Sequence, residues 1–427
     1  MPKKVINDIE VLDYAAEGKS LAKVNGKTLF IPNTAPGDNV NVLIRRKRKD
    51  FLEGRVIQYN KKSDKRVEPF CQHFDFCGGC QWQHVAYKEQ LIFKEDQVLQ
   101  QLNRIGNLEL KSVNPIIGCE NDKYYRNKME YSFSNQKWLT PLELKDESIK
   151  KSDGLGFHIS GRFDKVLNID KCHLQDDYAN TIRNRTGDLA KEHKLLFYDL
   201  RKREGEIRNL VIRNNRQGKW MILIQFGIDL NEKLKGFLNA LKNDLTELSS
   251  IYYIINKKEN DSYLNLDTHL FYGEEFLNES IGEFNFRIRP KSFFQTNPLQ
   301  AEILYTKVRE LCGSVEDKIV YDLYTGTGSI AIYLASKAKK VVGIESVDQA
   351  IEDAKWNAKH NKLNNAEFYC ADMRKFLSTE FAEKTGKPDV IVCDPPRDGM
   401  HKDVIQVLME LEAKRIVYVS CKPSTQA

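Results

Sequence analysis

The sequence predicts an open, parallel αβ sheet in its carboxyl-terminal part, preceded by an α+β region and by a small all-β module. Three observations carry that reading. From Asp317 onward, apolar strand-like runs alternate regularly with helical patterns. Within residues 1–60, short strand-like runs are separated by turn signals. Between these two parts the periods mix, with no internal repeat and no low-complexity segment. The 427 residues allow two to four domains at ~100–200 residues each.

In residues 1–60, Ser20-Leu-Ala-Lys-Val24 and Lys27-Thr-Leu-Phe-Ile31 flank Asn25-Gly26, a strong signal for a two-residue hairpin. Pro36-Gly37-Asp38 reads as a turn, Val40–Ile44 as a strand, and Gly54–Tyr59 as its return. Four or five short strands in sixty residues suggest a small barrel of the oligonucleotide-binding type. The run Arg45-Arg-Lys-Arg-Lys49 falls at a strand end or loop, within reach of phosphates.

Residues 61–84 show little periodicity and hold three cysteines. Tyr87, Leu91, Val98, Leu102 and Ile105 follow helical spacing and predict a helix within residues 85–117, expected to pack on the last domain. Residues 61–84 and 118–284 read as a central α+β domain, in which Leu210–Arg213 and Trp220–Phe226 form adjacent strands joined at Asn214–Gly218. Residues 285–427 form the last domain.

In that domain Ile319–Tyr324 has the pattern of a buried strand. It enters Gly326-Thr-Gly328, a helix from Ser329 to Ala338, and a second strand, Val341–Glu345. Two glycines let the backbone turn tightly and approach a ligand at a helix N-terminus, while an acid ending the second strand suits ribose hydroxyls. This pattern alone fits a nucleoside cofactor without choosing between NAD and S-adenosylmethionine. The fourth strand brings Asp394 to its carboxyl end, followed by the rigid pair Pro395-Pro396, and the fifth, Ile416–Ser420, ends at Cys421. Asp322, Glu345, Asp372, Asp394 and Cys421 are therefore expected on one sheet edge, where such sheets bind ligands. Asp372 reads equally well as a helix cap.

Composition narrows the function. Hydrophobic residues make up 41% of the chain and charged residues 30%, and no apolar run approaches the ~20 residues that span a bilayer. The basic N-terminus lacks the apolar core of an export signal, so a cytoplasmic location, no membrane partner and a monomer are expected. Net charge is +6, and residues 1–70 hold 15 Lys or Arg against 9 Asp or Glu, whereas the other 357 residues are balanced. A basic appendage on a neutral body points to a polyanion, with nucleic acid the leading candidate.

Cys71, Cys77 and Cys80 lie within ten residues of a Gly-containing stretch, and Cys172 follows in Asp170-Lys-Cys-His-Leu-Gln175. Four soft thiolates select zinc or an iron–sulfur cluster, and the spacing leaves both open. Cys119, Cys312, Cys370 and Cys393 match no motif and are expected to be buried or incidental.

Four motifs occur in order: Ser292-Phe-Phe-Gln-Thr-Asn297, Asp322-Leu-Tyr-Thr-Gly-Thr-Gly328, Cys393-Asp-Pro-Pro-Arg-Asp-Gly399 and Val419-Ser-Cys-Lys-Pro-Ser-Thr425. In these the chain resembles the RNA uracil-C5 methyltransferase family, and residues 1–60 resemble its TRAM domain. The resemblance covers nearly the whole chain and is nearest to the bacterial branch acting on 23S ribosomal RNA. It implies a class I methyltransferase (Rossmann-like) domain, S-adenosyl-L-methionine as cofactor, RNA as partner, and a structural [4Fe–4S] cluster on Cys71, Cys77, Cys80 and Cys172. It implies Cys421 as the nucleophile that adds to uracil C6, assisted by Asp394, because C5 is otherwise too weakly nucleophilic to take a methyl group. It places Gln295, Tyr324, Gly326, Gly328, Glu345, Asp372 and Asp394 at the cofactor, with Tyr324 along the methionine end and Glu345 on the ribose. The target base would be flipped from its stack. By its aromatic and basic residues, Tyr124–Phe133 reads equally well as an RNA contact and as an ordinary strand with exposed polar residues.

In the family the base that removes the C5 proton is a glutamate well beyond the nucleophile, and the sheet has seven strands. The chain is thus expected to be C-terminally shortened, without that base and without turnover. Competing readings are an RNA-binding iron–sulfur protein without catalysis, uracil-C5 methylation of tRNA, and an RNA cytosine-C5 methyltransferase. The TRAM-like module and the four-cysteine set argue against the last.

Overall fold

The computed structural model of the protein describes residues 4–141, 143–146, 148 and 153–427. Part of the N-terminal stretch used to argue against an export signal, residues 1–3, lies outside them. The chain forms two compact units. One comprises Met1–Asp122, Tyr131–His173 and Phe197–Glu204, and the other Lys123–Glu130, Leu174–Leu196 and Gly205–Ala427.

The first unit opens with β1 (Val5–Glu10), β2 (Asp13–Tyr14), β3 (Lys19–Val24), β4 (Lys27–Pro32), β5 (Asn39–Lys47) and β6 (Phe51–Lys61). They form one curled sheet in the order β1-β5-β6-β4-β3-β2. Asn25 (φ 48°) and Gly26 (φ 77°) take the left-handed conformations that a primed hairpin turn demands, and Val24 pairs with Lys27 across it. Alternation turns Ala22, Leu29, Ile31, Val40 and Val42 inward to make the core. Six strands form where four or five were expected. β1 buries a single residue and β2 has two residues, so neither writes an alternating pattern. β5 carries Arg45–Lys47 out beyond the core, and β6 starts at Phe51, so the basic run occupies the tip of a hairpin.

Helix α1 (Tyr87–Arg104) buries Phe93, whose ring lies 4.2 Å from Tyr14 and 4.9 Å from Trp82. Val98 and Ile105, two of the positions that predicted the helix, remain exposed. The chain passes from the second unit to the first within β7 (Lys128–Ser134). β7 pairs antiparallel with β8 (Gly154–Ile159), which pairs antiparallel with β9 (Arg162–Asn168).

In the second unit, α2 (Tyr178–Glu192) precedes the hairpin of β10 (Ile207–Asn214) and β11 (Trp220–Phe226). Helix α3 (Glu232–Asp244) crosses to β12 (Leu248–Ile255), parallel to β11, and β13 (His269–Gly273) closes that edge. A further hairpin, β14 (Leu277–Ile281) and β15 (Phe284–Ile288), leads to α4 (Pro298–Cys312). The carboxyl-terminal part then alternates: β16 (Ile319–Leu323), α5 (Ser329–Ala335), β17 (Lys340–Glu345), α6 (Asp348–His360), β18 (Ala366–Cys370), α7 (Met373–Phe376), α8 (Thr379–Thr385), β19 (Val390–Cys393), α9 (Lys402–Leu411), β20 (Arg415–Tyr418) and α10 (Pro423–Gln426).

These five strands form a parallel sheet in the order β18-β17-β16-β19-β20. Both faces are covered. Val320, Val341, Val390 and Val392 pack under α4, α5 and α6, while Tyr321, Leu323, Val342, Ile344 and Ile391 pack under α9. A sheet buried on both faces needs apolar residues at every position, which is why its strands read as unbroken apolar runs. Because all five strands run the same way, their carboxyl ends share one edge. No described helix is long and apolar enough to cross a membrane.

Candidate active site

The edge is shaped first by the turn after β16. Tyr324 (φ 64°), Gly326 (φ 55°) and Gly328 (φ 79°) all adopt left-handed backbone, and Gly328 opens α5. The two glycines serve different ends. A Cβ on Gly328 would meet Ala354 Cβ at 2.9 Å and the Phe368 ring at 3.1 Å, so this glycine lets α5 pack closely. A Cβ on Gly326 would meet nothing within 4 Å, so the space before that peptide is open to a ligand.

Glu345 ends β17 beside this turn. Its carboxylate accepts from Gly326 N (3.2 Å), Ser346 N (2.7 Å) and Val347 N (3.1 Å). These bonds fix a half-buried acid against the glycine turn. Tyr324 is half-buried among the apolar side chains under α9, and burial pushes its hydroxyl up to about 12. Beneath the turn, Asp322 is fully buried. Its Oδ2 accepts from Thr325 Oγ1 (2.5 Å). Burial, with the nearby charge of Asp394 adding, pushes its carboxyl up to about 7.

Asp394 follows β19, with its N–H bonded to Leu323 O (3.3 Å), and burial raises its carboxyl to about 6. Strand β20 ends at Tyr418, two residues short of the expected Ser420. The chain continues extended, and Val419 N donates to Cys393 O (2.8 Å). After Cys421, Thr425 Oγ1 donates to Arg397 O (3.0 Å), and Gly399 fits under Thr425 where a Cβ would lie 3.2 Å from its carbonyl. Cys421 is thus held on both sides against the Asp394–Gly399 loop, with its own side chain exposed. The charges of Asp394 and Cys421 both act on the Tyr418 hydroxyl, which burial chiefly raises.

Gln295 lies on the segment before α4, whose backbone is fastened by Asn127. Asn127 N donates to Thr296 O (2.8 Å), and Asn127 Nδ2 donates to Gln295 O (3.1 Å). Thr325 lies within the Asp322–Gly328 motif and Asn127 within the Tyr124–Phe133 stretch, but neither was legible as the residue that holds Asp322 or Gln295; Asn127 stands 168 positions from its partner.

Asp372 differs from the other acids. It caps α7, accepting from Arg374 N (3.0 Å) and pairing with the Arg374 guanidinium (3.0 Å), and these bonds hold its carboxyl below the usual range. Of its two sequence readings, the structure displays the cap.

In the first unit, the loop of Cys71, Cys77 and Cys80 is tied toward Cys172. His73 Nε2 accepts from Asp170 N (3.1 Å), and the Phe70 and His173 rings lie 5.5 Å apart. Burial pushes the Cys77 thiol up to about 11, with the charges of Cys80, Cys172 and Cys71 adding. Gly79 N donates to Cys77 Sγ (3.4 Å). Among the described residues, however, no three His, Cys, Asp or Glu side chains stand in metal-holding geometry, so ligation gains no support from side-chain placement. Of the unassigned cysteines, Cys312 and Cys393 are buried, Cys119 is half-buried and Cys370 is exposed.

Comparison with known proteins agrees with this geometry. The profile of the tRNA (uracil-5-)-methyltransferase family matches residues 213–427, and that of the TRAM domain matches residues 6–57. An RNA methyltransferase of Bacteroides thetaiotaomicron is 46% identical over 417 residues, covering 97% of this chain and 92% of that protein. One of Porphyromonas gingivalis is 43% identical over 425 residues, covering 98% and 91%. Both are known by sequence as uncharacterized RNA methyltransferases. Coverage of that extent lends no support to the expectation of a shortened chain. Among solved structures, the Pyrococcus abyssi tRNA (uracil-54, C5)-methyltransferase in complex with S-adenosyl-L-homocysteine superposes with a TM-score of 0.74 at 26% identity, covering 98% of this chain and 91% of its own. With an N-terminal TRAM domain and a parallel αβ sheet carrying the family's motifs on one edge, the chain belongs to the tRNA (uracil-5-)-methyltransferase family.

Proposed function

We propose that the protein methylates C5 of a uridine in RNA through a covalent bond between Cys421 Sγ and C6 of the base. The observation that carries this reading is the fastening of an exposed thiol, by bonds on both sides, to the loop that begins at Asp394. The thiolate adds to C6, which makes C5 an enolate-type nucleophile; once C5 carries the methyl group, loss of its proton to a base re-forms the C5–C6 double bond and expels Cys421 Sγ as thiolate. Asp394, its carboxyl raised to about 6 by burial, would hydrogen-bond the ring and hold it in register. Gly326, Glu345, Tyr324 and Gln295 are the residues that would hold S-adenosyl-L-methionine. The open space before Gly326 and the fixed Glu345 carboxylate fit such a nucleoside. That cofactor supplies an electrophilic methyl group.

The RNA we favour is 23S ribosomal RNA, on the motif resemblance. Uracil-C5 methylation of tRNA is the second reading, favoured by the name of the Pyrococcus abyssi neighbour. Incubating the protein and cofactor separately with unmodified 23S RNA and with unmodified tRNA, then mapping 5-methyluridine by mass, separates them. Cys421→Ala is expected to abolish both methylation and any denaturant-resistant protein–RNA adduct. Methylation at the normal rate by that variant would remove the nucleophile.

For the first unit we propose that Cys71, Cys77, Cys80 and Cys172 hold a [4Fe–4S] cluster. The reading rests on the motif resemblance, and the N–H that Gly79 donates to Cys77 Sγ suits a sulfur ligand. Protein purified without oxygen is expected to be brown and to lose its colour on Cys77→Ser. A colourless protein with one zinc per chain would replace iron with zinc.

A further inference from the structure

Three cations gather where Gln295 is fastened, and none has an acid partner. Arg126, Lys128 and Arg213 have no carboxylate oxygen within 4.0 Å of their charged nitrogens among the described residues. Arg213 is almost fully buried and spends its donors on carbonyls, Pro290 O (3.2 Å) and Ser292 O (2.5 Å). Lys128 is half-buried, and its single hydrogen bond goes to the Tyr263 hydroxyl (3.4 Å). Arg126 is half-buried, and its Nε is buried with no partner at all. Burial and the charge of Arg213 push the Lys128 ammonium down to about 8, with Arg126 adding and Glu130 opposing. Glu130 takes its own bond from the Tyr263 hydroxyl (3.4 Å), and its charge reaches Lys128 and Arg213 without its carboxylate coming into contact with them.

Like charges crowded and partly desolvated without a counterion are costly, and such arrangements persist where an anion arrives to offset them. The position says which anion. Asn127, between Arg126 and Lys128 in the chain, is the residue that bonds to the backbone of Gln295 and Thr296. Arg213 bonds to the same segment at Ser292. An anion on these cations would therefore sit beside the segment that carries Gln295, which is proposed to hold the cofactor whose methyl group meets the base.

We infer that Arg126 and Lys128 form a subsite for a phosphodiester of the RNA strand, next to the flipped uridine, with Arg213 supplying fixed positive potential from beneath. The inference rests on the reading of RNA as substrate. Extruding a base requires the backbone around it to be held, and phosphate contacts set register without reading sequence.

The test is equilibrium binding of a short oligouridylate to the full-length protein as a function of salt and pH. Each lost phosphate contact on a single strand lowers the logarithmic salt slope by about 0.7. Lys128→Ala is expected to weaken binding about 5- to 10-fold at low salt and to reduce the slope by about that one contact. Lys128→Arg should retain the slope. Wild-type affinity should fall between pH 7 and pH 9 as Lys128 loses its proton, and that fall should vanish in Lys128→Arg. The groups facing Lys128 are Arg126, Arg213, Glu130 and the raised Tyr263 hydroxyl, so the lysine is the one expected to titrate in that window. Binding of S-adenosyl-L-homocysteine, unchanged in both variants, shows that the fold survives. An unchanged slope and pH profile in Lys128→Ala overturns the inference. Because the readout is binding, failure of the methylation reading is scored separately, by the absence of 5-methyluridine in the mapping experiment.

Discussion

At the scale of one residue, Asp394 carries a cost in stability. Its carboxyl is raised to about 6 by burial, whereas in an unfolded chain an aspartate titrates near 3.9. Between these values the folded state holds the proton and the unfolded state does not. Stability therefore falls as pH rises from about 4 to about 6 and stays lowered above. A rise of that size costs the folded state at most about 3 kcal/mol at neutral pH. Asp322, raised to about 7 beneath the glycine turn, pulls in the same direction. Asp394→Asn removes the ionisation with little change in shape. The variant is expected to melt several degrees above the wild type at pH 8, to converge with it near pH 4, and to lose most methylation. A melting difference equal at both pH values would show that packing, not charge, separates the two proteins. Asp372, a neighbour in sequence logic, carries no such cost, since its charge is satisfied by Arg374 and the α7 backbone.

At the scale of elements, the turn between β16 and α5 divides its work between two glycines. Gly328→Ala forces a Cβ into Ala354 and Phe368 on a left-handed residue, so overpacking of about 1–3 kcal/mol adds to backbone strain of about 1 kcal/mol. The melting temperature should drop clearly. Gly326→Ala meets only the backbone strain, yet places a methyl group where the ligand is proposed to lie. Its expected signature is a small thermal shift with at least a tenfold loss of S-adenosyl-L-homocysteine affinity. Reversal of the two patterns would exchange their roles. This turn was readable in the sequence because a tight left-handed bend needs glycine locally, and so was the Asn25–Gly26 hairpin. β1 was not, because five of its six side chains escape burial and leave no period to read. The end of β20 was overrun because Val419 keeps an extended backbone and a bond to Cys393 O past the last ladder residue. Local chemistry thus brought Cys421, Asp394 and Glu345 forward as candidates and marked the stretch that holds Asn127 and Lys128, whereas Arg213 and Tyr263 join these two only through the fold. No window of sequence contains them together.

At the scale of the molecule, the dominant asymmetry is electrostatic. The whole excess of six positive charges lies in residues 1–70, and five cations occupy the tip of the β5–β6 hairpin. Arg46 is partly neutralised by Glu53, at 3.5 Å. Arg45, Lys47, Arg48 and Lys49 are exposed, and none has a carboxylate partner among the described residues. The tip lies in the first unit, and the sheet edge with Cys421 lies in the second. No residue of the hairpin tip is among those proposed to react, so charge there is expected to act on the affinity for RNA. Replacing Arg45, Lys47, Arg48 and Lys49 together by glutamine lowers the net charge from +6 to about +2, the four-charge change that counterion release then converts into salt dependence. If each cation neutralises one phosphate, the logarithmic slope of binding against salt should fall by about 3. Binding of S-adenosyl-L-homocysteine should not move, since no residue proposed to hold it is altered. The Michaelis constant for RNA should rise steeply at low salt and converge with that of the wild type at high salt, where screening removes the difference, while kcat stays level. A fall in kcat at saturating RNA would mean that the hairpin helps to place the target base as well as to capture the strand, and a slope left unchanged would reduce Arg45–Lys49 to a solvated surface.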